Sequence, residues 1–67
     1  MPYMICVAET GEPVRIGMKL VFASSWFAET MCTHLNEEEG AGTYAVHLVA
    51  PGGLSWFKVD HVQDVTG

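Results

Sequence analysis

The chain has 67 residues, with three basic against eight acidic side chains and a formal net charge of -5. That length supports one domain with a single core of small net stability, and the acid excess argues against a surface built to lie along a row of phosphates. Hydrophobic residues are 49% of the chain and charged ones 16%, the composition of a packed globular domain rather than a disordered one.

The opening MPYMICVAE carries no basic stretch and no long apolar run, so neither a signal peptide nor a membrane span is expected. Apolar residues then alternate through Tyr3, Ile5 and Val7, and again through Val14, Ile16, Met18, Leu20 and Phe22. This period of two predicts strands over Tyr3–Ala8 and Val14–Phe22. The link ETGE, with Gly11 supplying a positive φ, predicts a hairpin in which Glu9 pairs with Glu12. Val7 then faces Val14, Ile5 faces Ile16 and Tyr3 faces Met18 on one side of the sheet.

From Ala23 the period changes. Ser24 or Ser25 can accept a backbone N–H bond as a helix cap, and Phe27, Ala28, Met31, Cys32 and Leu35 fall on one helical stripe, which predicts a helix over Ser25–Glu38. Gly40 is expected to stop it in the left-handed region. Glu37, Glu38 and Glu39 crowd its last turn, where negative charge opposes the macrodipole.

Alternation returns in Tyr44, Val46 and Leu48 and, beyond the turn APGG, in LSWFKVDHV. Strands are predicted over Thr43–Ala50 and Leu54–Val62, joined by a second hairpin in which Leu48 faces Ser55, Val46 faces Phe57 and Tyr44 faces Val59. The tail QDVTG is expected to be loosely held. The expectation is an α+β domain over residues 1–67 of order β-β-α-β-β, two hairpins forming a mostly antiparallel four-stranded sheet with one helix on one face.

One helix covers one side of a sheet. The same registers put His47 opposite Trp56 and Val49 opposite Leu54 on the other side, with Met4, Cys6, Ala8 and Val21 from the first hairpin. A half-apolar outer face of this kind marks a contact surface. Trp56, His47, Val49 and Leu54 are therefore the expected dimer or partner contact, with tryptophan the natural anchor, and a homodimer is expected because self-association enlarges a marginal core. The run Glu37 to Glu39 is a second candidate, an acidic contact patch.

Chemistry is less well represented. His34, His47 and His61 fall on separate elements without close ligand spacing, so no metal and no cofactor are expected. Cys32 and His34 stand two apart on a helix, where their side chains diverge and cannot act as nucleophile and base. Two cysteines allow at most one bridge, so both read as reduced thiols and the cytoplasm as the compartment. No phosphate loop, nucleophile elbow or carboxylate pair occurs, and the chain reads as non-enzymatic.

The stretch HLNEEEGAGTYAVHLV is similar to the helix-to-strand passage of many short, uncharacterised phage and bacterial accessory proteins, in which a helix ends in Leu-Asn with acidic residues and glycine before a Tyr-x-Val strand. The present helix is more apolar, with Trp26, Phe27, Met31 and Cys32. The resemblance implies a protein that binds and alters a host machine such as a defence complex or a polymerase. The resulting expectation is a small acidic protein-binding module without direct nucleic-acid or membrane contact. Its alternatives are a structural subunit of a larger assembly and a small thiol-dependent enzyme.

Overall fold

The structure, a computed structural model, describes residues 2–49 and 62–65. In chain order these form β1 (Tyr3–Val7), β2 (Val14–Ile16), α1 (Ser25–Glu39), β3 (Tyr44–Leu48) and β4 (Gln63–Val65). The α+β character is as expected; the arrangement of strands is not. Among the described residues β1 pairs antiparallel with β3, Ile5 opposite Val46, and β2 pairs parallel with β4, Val14 opposite Gln63. Among the described residues these pairings make two small sheets rather than one, linked where Tyr3 bridges Phe22 and Cys6 bridges Pro13.

Three features of the first half account for the difference. Between β1 and β2 the chain makes a four-residue loop, residues 8–11, closed by Val7 and Glu12. Val7 N–H donates to the Glu12 carbonyl (2.9 Å) and Gly11 N–H to the Val7 carbonyl (2.8 Å). The Thr10 hydroxyl donates to the Glu12 carboxylate and accepts from the Glu12 N–H, a local closure that competes with a tight turn. Cys6 therefore stands across from Pro13, displaced by two residues from the expected register. A shift of two leaves each side chain on its own face, and Ile5 and Val14 still share one core.

The long strand expected over Val14–Phe22 is broken at Gly17. With φ +62° there, Ile16 and Lys19 exchange both backbone hydrogen bonds, at 2.9 and 3.0 Å. A glycine at positive φ in the first central position suits a type II′ hairpin turn. Met18, expected opposite Tyr3, is instead 98% exposed at the turn tip. The chain then returns to β1, where Tyr3 and Phe22 exchange backbone bonds of 2.7 and 2.8 Å.

Gln63–Val65 of the expected loose tail form β4. Gln63 N–H donates to the Pro13 carbonyl and Gly17 N–H to the Val65 carbonyl, Val65 packs against the core, and Arg15 meets Asp64 at 3.5 Å on the surface. The expected strand Leu54–Val62, its hairpin with β3, and the contact residues Leu54 and Trp56 lie outside the described residues, except Val62, which is not in a strand.

The helix follows its stripe. Ser24 caps it, its Oγ accepting from the Phe27 N–H at 3.4 Å, and Ala28, Cys32 and Leu35 are buried. They pack with Ile5, Val14 and Phe22, bordered by Tyr44 and Val46 of β3. Gly40 does have a positive φ, but at φ 122°, ψ 144° it lies outside the left-handed helical basin, in a region that glycine tolerates, while its N–H donates to the Asn36 carbonyl. What fixes the exit is Asn36 itself. Its Oδ1 accepts from the Tyr44 N–H (2.8 Å) and its Nδ2 donates to the Tyr44 carbonyl (3.2 Å). One side-chain amide thus binds the first residue of β3 through both backbone groups and sets the spacing between helix and strand.

Candidate interaction surface

Side chains of β1 alternate between two cores. Tyr3, Ile5 and Val7 point toward α1, while Met4 and Cys6 belong to a second cluster with Val49, bordered by Leu20 and Val21. Alternation along the strand puts this cluster on the side away from the helix. Met4 and Cys6 are fully buried and Val49 is 5% exposed within the single chain. The expectation of an open apolar outer face is therefore corrected at these positions. The chain folds Leu20 and Val21 over that side after the Gly17 turn, and Val49, read from the sequence as a contact residue, is an interior one. His47 is exposed beside Met4 in the β1–β3 ladder.

Among the described residues, large apolar side chains are exposed at the end of β3, at Leu48, and around the start of α1. Trp26 is 71% and Phe27 44% exposed, alongside Met18 at the neighbouring turn. Phe27 belongs to the expected buried stripe, yet it sits at the core margin, stacked on buried Phe22 with ring centres 5.7 Å apart. The Lys19 ammonium lies 5.6 Å from the Phe22 ring and 5.4 Å from the Phe27 ring, close enough for cation–π attraction. Lys19 thus ties the turn carrying Met18 to the first turn of the helix carrying Trp26. Burying a methionine or phenylalanine side chain stabilises a fold by roughly 1.5–3 kcal/mol, and this small domain forgoes that gain at Met18.

Trp26 begins a second stripe, on the outward face of α1. Residues three and four apart share a face, which brings Glu29, Thr30, Thr33 and Glu37 into line after it. Beside this stripe the surface is hollowed by two adjoining open depressions that meet at Thr33. One, of about 420 Å³, is lined by Glu29, Cys32, Thr33 and Val46. The other, of about 310 Å³, is lined by Thr33, Asn36, Glu37, Ala41 and Gly42. Together they form a shallow groove along α1, with Glu29 and Glu37 on the helix rim, Val46 of β3 against one part and Ala41 and Gly42 of the loop after the helix against the other. Glu37, Glu38 and Glu39 are all exposed, and α1 has no acidic residue in its first turn and no basic one in its last. This charge order works against the helix macrodipole.

No protein family, curated protein or solved structure matches this chain. Its surface is read from its own geometry alone.

Both thiols are free and buried. Burial pushes Cys6 up to about 11. It also raises Cys32, partly offset by the hydrogen bond from Asn36 Nδ2 to Sγ (3.7 Å) and reinforced by the nearby Glu29 carboxylate. Both are therefore thiols at neutral pH, whereas the thiolate is the nucleophile. Among the described residues no three His, Cys, Asp or Glu side chains gather as metal ligands would, and no helix is long and apolar enough to cross a membrane. Sequence reasoning missed Trp26 and Met18 as surface features. Trp26 could have been found from its place at the head of an otherwise polar helical stripe, and Met18 from the glycine before it.

Proposed function

We propose that the chain is a non-enzymatic protein-binding module that docks through the end formed by Met18 and Trp26 and the adjoining outward face of α1. The observation that carries this reading is the exposure of Trp26 and Met18, 71% and 98%, in a domain too small to leave large apolar side chains unused without cost. Tryptophan is the residue most enriched among those that dominate binding energy. The protonated, buried thiols favour this reading over a thiol-dependent enzyme. An inhibitor of a host defence complex or polymerase, which the resemblance implies, is the particular case in which the docked partner is such a machine. A structural subunit is the case in which the partner is an assembly.

A foreign partner suits this face better than a second copy. Two chains meeting through α1 would oppose Glu29 and Glu37 of one to the same residues of the other, and like charges brought together cost binding energy. The homodimer expected from the outer sheet face also loses Val49 as a contact. The test compares wild type with Trp26→Ala and Met18→Ser, using sedimentation over a range of concentrations and capture of partners from lysate. Both substitutions leave the fold within about 0.5 kcal/mol, because neither side chain is buried. The reading expects capture to be lost in both variants. Capture unchanged by both would refute it.

A further inference from the structure

Resting on the docking reading above, we infer that the groove along α1 receives the lysine or arginine side chains of a cationic, amphipathic polypeptide segment whose apolar residue seats on Trp26. The shape, lining and charge of this surface carry the inference.

The first is shape. The two depressions adjoin at Thr33 and make a track from Glu29 to Glu37. Eight residues of helix at 1.5 Å each make the two carboxylates about 12 Å apart, and Trp26 lies about 16 Å from Glu37 along the axis. The second is lining. Val46 and Ala41 offer apolar surface on which the aliphatic stem of a lysine or arginine can lie, while Glu29 and Glu37 stand at the rim to meet the charged head, the division of labour such side chains favour. The third is charge placement. Glu29, Glu37, Glu38 and Glu39 make four of the chain's eight acidic residues, all on a helix that contains no lysine or arginine. Three of them occupy the last turn, where they oppose the macrodipole. Sequences break local folding rules mainly where function requires it. The negative end of the helix and these carboxylates reinforce one another in drawing a cation to the groove.

A phosphate-bearing partner, whether nucleic acid or anionic membrane, is repelled by the same field. The segment is therefore polypeptide, with one apolar anchor followed at 4–16 Å by basic side chains, a spacing taken from the helix rise.

The probe is a synthetic amphipathic peptide of leucine and lysine, titrated into the intact protein at low and at physiological salt, with a leucine–glutamate peptide of the same pattern as comparison. Binding is read from the part of the tryptophan emission that Trp26→Phe removes, and from calorimetry. We expect the lysine peptide to bind and the glutamate peptide not to. Glu29→Gln with Glu37→Gln should weaken binding about five- to tenfold at low salt, since an exposed ion pair contributes up to about 1 kcal/mol. Glu9→Gln with Glu12→Gln removes the same charge from the β1–β2 loop, outside the lining of the groove, and should weaken binding clearly less than the Glu29 and Glu37 pair at physiological salt, where the Debye length is about 8 Å. Equal weakening by both pairs would show attraction to net charge alone and overturn the inference. Failure of the lysine peptide to bind while Trp26→Ala still abolishes partner capture would overturn the cationic segment and leave the docking end standing. Loss of neither on Trp26→Ala would remove both.

Discussion

Replacing Asn36 by alanine tests how the helix is held against β3, and with it the groove. The Asn36 amide makes two hydrogen bonds to the backbone of Tyr44, 2.8 Å from the Tyr44 N–H and 3.2 Å to its carbonyl, in a half-buried position. Each such bond contributes about 1 kcal/mol net, and more where the partner is left without water. Asn36→Ala should therefore cost about 2–3 kcal/mol. For a domain of this size each kcal/mol lowers Tm by about 4–8 °C, so calorimetry should show a fall of about 10 °C or more. Asn36→Asp keeps the acceptor for the Tyr44 N–H but sets a carboxylate against the Tyr44 carbonyl. It should be as damaging at neutral pH and recover part of the loss in acid, where the protonated group can donate again. An Asn36→Ala variant within about 0.5 kcal/mol of wild type, or an Asp variant with no acid recovery, would refute the clamp.

Two further predictions concern the second core and the tail. The folded-state value of Cys6 is raised to about 11 from an ordinary 9.0, so the folded protein holds that proton more tightly than the unfolded chain. The resulting stability is present in full below pH 9 and is lost as pH rises toward 11, by up to about 3 kcal/mol at 1.36 kcal/mol per pH unit. Urea melts across that range should show a steeper alkaline decline in wild type than in Cys6→Ala, and parallel declines would contradict the burial. Deleting residues 63–67 removes the pairing of β4 with β2, including the Gln63–Pro13 and Gly17–Val65 hydrogen bonds, and the packing of Val65. It should cost about 2–3 kcal/mol by thermal melting, whereas a loose tail would cost nothing.

Much of this fold was legible because two periods are distinct in the chain. The helix begins one residue after its Ser24 cap and buries Ala28, Cys32 and Leu35 as its spacing requires. The faces of β1 and β3 were also readable, with Ile5, Val46 and Tyr44 on the helix side and Met4 and Cys6 on the other. Alternation does not determine which strands meet, however. Gly17 read as the solvent-side residue of a continuous strand when its positive φ made a turn, and that error carried Met18 inward and left the second face apparently uncovered. The pairing of β2 with β4 joins residues about fifty apart in sequence, and nothing in QDV marks it as a strand partner. The contact surface moved for the same reason. Once Leu20 and Val21 fold back over Met4 and Cys6, the most exposed large apolar side chains among the described residues are Met18 and Trp26.

The central claim is that Trp26, rather than the outer sheet face, presents the chain's anchor to a partner. The most direct measurement is the difference between the tryptophan emission of wild type and of Trp26→Phe, recorded with and without acrylamide, first alone and then with the captured partner. The account predicts the red-shifted, readily quenched spectrum of a solvated indole in the free protein, turning blue-shifted and protected in the complex. A Trp26 signal that is already blue-shifted and shielded in the free chain, or that the partner leaves unchanged, would contradict it.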